Sequence, residues 1–230
     1  GVVIGSTSTY GKGTVQRNIG LDPENGYSMS NSDLGTVKLT LQKFYRINGG
    51  STQLKGVSSD IVLPDNLEYL KVREKDSEDA LPWDEISKAG YNNWKPGYDL
   101  EVIKQLSKQR LEGDPTFRLI AESTDWLSKQ SEKKYSLQLE KYRKEQDKVK
   151  ATVKQLESLL KLKNQLDVSA LPSEVNRWAD DKTKQERFQL WLKSLQKDIY
   201  LDHVVKVMND IISQQNLVKA KTEEPVKKAF

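Results

Sequence analysis

The spacing of apolar positions changes character near residue 70. Before it, short runs alternate apolar with polar residues and are separated by clusters of Gly, Asn, Ser and Asp, the pattern of a sheet. The clearest run is Thr36 to Ile47, where Val37, Leu39 and Leu41 recur with a period of two and Phe44 and Tyr45 resume after a slip. That period predicts a strand with one buried face, stopped by the turn signal Asn48-Gly49-Gly50. Val15 to Leu21 and Asp60 to Leu63, the latter stopped by Pro64, read as shorter strands. Gly1 to Gly5 reads as a buried strand, and its place at the very start leads us to expect a piece of a larger protein.

From residue 71 onward Lys, Glu, Gln and Leu dominate. An interval over 76–97, punctuated by Pro82, Gly90 and Pro96, reads as a linker. Helical periodicity then predicts Leu100 to Leu111, Pro115 to about Lys129, Leu139 to Leu166, Ser173 to Leu195 and Tyr200 to Leu217. Asp114-Pro115 is a helix start, with Asp as the cap and Pro in the first turn, and Pro172-Ser173 is a second. Tyr142, Val149, Val153, Leu156 and Leu160 form a seam of coiled-coil spacing. Phe188, Trp191, Leu192, Leu195 and Ile199 form a stripe on the following segment, so these two segments are expected to pair as a helical hairpin. Residues 218–230 lose the period and read as a mobile tail. The fold class is α+β: a small β-rich part over 1–70, followed by a mainly α-helical domain over 71–230.

Composition narrows the chemistry. The 230 residues carry 37 Lys+Arg against 33 Asp+Glu, a net charge of +4, which makes no strong field. No apolar run approaches the roughly 20 residues of a membrane helix, so no membrane span is expected. The absence of cysteine excludes disulfides, thiolate ligands and cysteine nucleophiles. The one histidine, His203, excludes a multi-histidine metal site and argues against a Ser-His-Asp triad. It reads as a surface or capped residue.

The most informative stretch is Ser6-Thr7-Ser8-Thr9-Tyr10-Gly11-Lys12-Gly13-Thr14-Val15-Gln16. A P-loop is excluded by spacing: five residues separate Gly5 from Gly11, and Gly13 follows Lys12 where a magnesium-binding hydroxyl is needed. Two readings of Lys12 stay open on the residues alone. It is a solvated loop lysine, or it is a general base, which must be the neutral amine that burial favours. In an extended chain Gln16 returns to the face of Lys12, where it can orient the amine.

The stretch from Gly5 to Gln16 resembles the lysine motif of the tail-specific, or carboxy-terminal processing, proteases of the S41 class. A second block, Gln42 to Pro64, is similar to the strand-turn segment that closes that family's protease core. The likeness continues through Ala80-Leu81-Pro82-Trp83-Asp84 and, more weakly, through Asp198-Ile199-Tyr200-Leu201-Asp202. Ser59 departs from it, standing where the family usually has proline before the aspartate.

The resemblance implies that Lys12 is the general base and Gln16 the residue that positions it. It implies that 1–70 is the end of a protease core, whose serine and PDZ domain belong to an N-terminal remainder; Ser6 and Ser8 read as loop hydroxyls. The implied parent is a serine endopeptidase of the bacterial periplasm acting on proteins with nonpolar carboxy termini, without metal or organic cofactor. This fragment is then expected to be inactive alone.

Two rival uses of the helical part remain. Over residues 129–163 Lys and Arg outnumber Asp and Glu, with Tyr135 and Tyr142 interleaved. Carboxylates interrupt that face and no nucleic-acid motif accompanies it, so no nucleic-acid partner is expected. A docking surface for substrates, an adaptor protein or another protomer is the alternative to a catalytic role. Trp126, Trp178 and Trp191 read as core. Asp60, Asp84 and Glu85 have no spacing that predicts a carboxylate pair.

Overall fold

The computed structural model describes the backbone of residues 1–21 and 34–223, and the side chains of these up to residue 216. It divides into two compact units, one of Gly1–Ser6, Ser59–Leu70 and the residues from Lys95 onward, the other of Thr7–Ser58 and Lys71–Trp94. The expected division at residue 70 follows sequence character, whereas these units follow packing.

In the first unit, β1 (Ile4–Gly5) pairs in parallel with β4 (Ile61–Val62). The helices are α1 (Leu100–Gly113), α2 (Pro115–Ser131), α3 (Leu139–Leu159), α4 (Lys182–Leu195) and α5 (Ile199–Glu223). Aspartates start all of these but α3, because a carboxylate accepts from N–H groups that the first helical turn leaves without partners. Asp99 accepts from Glu101 and Val102, Asp114 from Thr116 with Pro115 in the first turn, and Asp181 from Lys184. The start at Asp114-Pro115 is as expected; that at Pro172-Ser173 is not found. The chain there stays in turns until Asp181 caps α4.

Two apolar clusters hold this unit together. In one, Ile61 and Leu63 meet Ile103 of α1 and Val207 of α5, with Val2 and Ile4 alongside. In the other, Phe117, Ile120 and Leu127 of α2 meet Leu156 of α3 and Ile199 of α5, flanked by Val149 and Val153. The seam on α3 therefore exists, but its partner is α2, and these two helices, joined by residues 132–138, make the hairpin.

The expected pairing of α3 with α4 fails for a local reason. Helix α3 ends at Leu159, and the N–H groups of Leu162 and Leu166 then donate to the carbonyls of Lys197 and Gln196, both at 2.8 Å, pinning the chain beside the α4–α5 junction. Helix α4 buries Leu192 and leaves Leu190 and Trp191 65% and 52% exposed. Trp191 is thus not core, while Trp126 packs against the α2–α3 cluster. Trp178 is half-buried, with the Arg177 guanidinium and Lys184 amine over its ring.

His203 also departs from expectation. It is buried between α1 and α5, where its Nε2 and the Ser107 Oγ lie 2.7 Å apart. Burial is tolerable because the polar ring has that hydroxyl partner and an edge contact from Phe117. Helix α5 continues to Glu223, into the segment expected as a tail; the rest of that segment, 224–230, lies outside the described residues.

The second unit is built on β2 (Thr14–Gly20) and β3 (Thr36–Lys43), which pair antiparallel. Arg17 faces Leu39 and Ile19 faces Val37, while Gln16 faces Thr40 and Asn18 faces Lys38. Alternation therefore makes one face largely apolar and the other polar. Between Val15 and Gln16 the register shifts by one, leaving Leu41 as the extra residue of a bulge, which accounts for the slip in the pattern.

The buried face expected for Val37, Leu39 and Leu41 is not seen: they are 45%, 45% and 52% exposed. Among the described residues of this unit, a two-stranded ribbon has no second layer to cover it. No hydrophobic side chain of the unit is buried among those residues; its buried side chains are Thr14, Ser51 and Gln53. Hydrogen bonds, more than apolar burial, hold it.

Candidate active site

Lys12 stands at the entrance to β2, on the loop Gly11-Lys12-Gly13. The two glycines are needed because residues 51–56 run directly against the loop. Gly11 has φ +95°, and a β-carbon there would sit 3.0 Å from the Leu54 carbonyl oxygen. At Gly13 a β-carbon would come within 2.5 Å of both Gln53 N and Ser51 Oγ. The loop is thus gripped, and its lysine is half-buried.

Gln16 lies on the polar face of the ribbon, as alternation requires. Lys12 Nζ donates to Gln16 Oε1 at 2.8 Å, and Gln16 Nε2 donates to Thr40 Oγ1 at 3.2 Å. The structure brings the two expected residues together and adds Thr40, which no spacing rule could show because it depends on strand register. A lysine–amide–hydroxyl line of this kind fixes the direction of the amine and can hold it against a reacting hydroxyl.

A second polar cluster joins the loop through Phe44, whose N–H donates to the Gly13 carbonyl at 3.1 Å. Beside it, Asp84 Oδ2 accepts from Lys43 Nζ at 2.9 Å and from the Tyr45 hydroxyl at 3.1 Å. The Lys43 hydrogen bond holds Asp84 below the usual carboxylate range, and the same bond raises Lys43. Tyr45 is raised chiefly by burial and then by its bond to Asp84. The main chain of Glu85 pairs with that of Gly50, and the Asp60 carboxylate accepts from Val3 N at 2.8 Å, so Asp60 and Asp84 are held apart by different partners and do not form a carboxylate pair.

The other residues singled out by sequence are accounted for locally. Ser59, in place of the family's proline, donates its hydroxyl to the Ser6 carbonyl at 2.6 Å, a tie that proline cannot make. Ser8 donates to the Thr9 carbonyl at 3.1 Å. No group of three or more His, Asp or Glu side chains is placed to hold a metal ion among the described residues, and none of their helices is long and apolar enough to cross a membrane.

Comparison with known proteins decides the family. Residues 67–213 match the family described as the C-terminal domain of tail specific protease, and residues 1–63 match peptidase family S41. The chain belongs to the tail-specific protease family. It is 33% identical over 233 aligned residues to a tail-specific protease of Haemophilus influenzae, an alignment covering 97% of this chain and 32% of the relative. The chain thus spans about a third of that tail-specific protease's length. The peptidase match covers Lys12, Gln16 and Thr40, and the match to the C-terminal domain begins just before the 3-10 turn Glu68–Leu70.

Proposed function

We propose that this chain supplies the general base of a serine endopeptidase with a Ser-Lys mechanism. Lys12 takes the proton of an attacking serine, Gln16 aims the amine, and the serine and a PDZ domain belong to the N-terminal remainder of the parent protein. Residues 1–70 are the end of the protease core and 71–230 the helical domain that follows it in sequence. The parent processes or degrades proteins from nonpolar carboxy termini in the bacterial periplasm, without metal or organic cofactor, and this fragment alone is inactive. An adaptor protein is a possible partner of the helical domain; nucleic acid is not.

The observation that carries this reading is the 2.8 Å hydrogen bond from Lys12 Nζ to Gln16 Oε1, in a loop gripped on both glycines. Family membership supports it. In the intact parent, Lys12→Ala is expected to abolish cleavage of a substrate with an exposed nonpolar carboxy terminus while the circular dichroism spectrum stays unchanged. Undiminished cleavage means that the base is misassigned. The isolated chain is expected to leave the same substrate uncut.

One observation favours a second reading, a non-catalytic helical docking or scaffold module. Leu190 and Trp191 stand exposed on α4, with Phe188 stacked on Trp191. If docking is the chain's role, Trp191→Ala removes partner binding while Lys12→Ala leaves parent activity intact.

A further inference from the structure

Three consecutive residues, Thr52, Gln53 and Leu54, each hold one backbone group around Lys12. Leu54 N donates to the Gly11 carbonyl at 2.7 Å, Thr52 Oγ1 donates to the Lys12 carbonyl at 2.9 Å, and Gln53 Oε1 accepts from Gly13 N at 2.8 Å. The first bond anchors the peptide unit before the Lys12 Cα, and the other two anchor the unit after it. Both soft dihedrals of Lys12 are therefore set, and with them the direction in which its side chain leaves the backbone.

Gln53 is the centre of this arrangement. It is wholly buried, and its amide uses both ends: Nε2 donates to Glu74 Oε1 at 2.9 Å and to the Leu81 carbonyl at 3.1 Å. Its own N–H is held by Ser51 Oγ at 3.0 Å. Beyond it, Leu54 has φ +62°, a conformation rare for a residue with a β-carbon, and Lys55 N closes a tight turn onto the Gln53 carbonyl at 2.7 Å. The protein holds a buried amide and an unfavourable turn at the one place where they grip the lysine loop.

We infer that Thr52-Gln53-Leu54 is the positioning clamp of the lysine, with Gln53 as its hub. The clamp touches no substrate; it acts through Lys12, and the inference rests on the general-base reading of that residue. Misplacing a reacting group by about 1 Å costs on the order of 100-fold in rate. Loosening the clamp is thus expected to lower kcat and spare KM.

The test uses the intact parent protease and a peptide ending in nonpolar residues. Gln53→Met keeps the size and removes the amide; kcat is expected to fall about 100-fold with KM little changed. Combining Gln53→Glu with Glu74→Gln returns an acceptor to Gly13 N and a donor at position 74 but leaves the Leu81 carbonyl without its donor, and is expected to recover part of the loss. A fall that this exchange does not recover makes Gln53 merely structural and overturns the clamp. Full activity in Gln53→Met alongside an inactive Lys12→Ala overturns the clamp and leaves the base reading standing, whereas an active Lys12→Ala overturns the base reading itself. If Gln53→Met does not fold, Thr52→Val reads the same geometry: it removes one anchor, lowers kcat about tenfold if the clamp holds, and leaves kcat unchanged if it does not.

Discussion

Ser107 Oγ and His203 Nε2 lie 2.7 Å apart between α1 and α5, with both side chains out of water. Burial pushes the histidine pKa below its ordinary 6.5, aided by Arg110 and Lys206 and opposed by Asp202 and Asp114. The folded state keeps this ring neutral, so the unfolded chain takes up its proton first as pH falls. Stability from this site is complete above about 6.5 and is lost below it, down to the folded-state pKa. Urea midpoints measured at pH 7.5 and pH 5.0 are expected to differ more for the natural chain than for His203→Gln. Ser107→Ala leaves a buried ring nitrogen without a partner and is expected to cost about 1–3 kcal/mol at neutral pH. Equal pH sensitivity in His203→Gln would remove the histidine from this account.

Tyr200 reports the opposite end of the pH scale. Its hydroxyl donates to the Pro64 carbonyl at 2.8 Å, and burial, with Asp65 and Asp198 nearby, pushes its pKa up to about 12 from 10.0. Folding favours the protonated phenol, so the stability it contributes is present below pH 10.0 and falls as pH rises towards about 12. Ultraviolet titration is expected to show late ionisation from both Tyr200 and Tyr45, and Tyr200→Phe to remove the Tyr200 share of it at a cost of about 1 kcal/mol.

Thr40 is placed to matter through Gln16. In the intact parent, Gln16→Leu is expected to lower kcat about 100-fold and Thr40→Val about tenfold, in proportion to how directly each touches the amine. Both are expected to stay within about 1.5 kcal/mol of natural stability, the range for a single hydrogen bond. Steady-state kinetics and denaturant midpoints check the pair. A larger kinetic loss for Thr40→Val than for Gln16→Leu would contradict the order of contact.

Gly13 tests the close approach itself. An alanine β-carbon there meets backbone and side-chain atoms of Ser51 and Gln53 at 2.5 to 2.9 Å. Gly13→Ala is expected to destabilise the chain by about 1–3 kcal/mol, as overpacking does. Gly20, whose β-carbon would meet nothing within 4 Å among the described residues, supplies the control, and Gly20→Ala is expected to be nearly neutral. Equal denaturation midpoints for the two variants would show that the loop yields.

Much of the architecture was readable from local chemistry. Asp114-Pro115 announced the start of α2 because a carboxylate and a missing N–H suit the first turn of a helix whatever surrounds it. The seam Val149, Val153 and Leu156 announced a buried stripe on α3, and the lysine between glycines announced a tightly approached loop. Lys12 and Gln16 were found together because strand alternation returns the same face at short range.

What tertiary structure alone decided is which surfaces meet. Nothing in the stripe on α3 says that α2 takes it in place of α4, since any apolar stripe of matching width satisfies the same hydrophobic demand. His203 looked like a surface residue until Ser107, far away in sequence, supplied the partner that makes burial tolerable. The grip of Gln53 on Gly13 joins residues separated by 40 positions, and hydrogen bonds of that range carry no periodic trace. Local propensity and periodicity act within a few residues, whereas the choice among equivalent long-range partners is made only when the whole chain is packed.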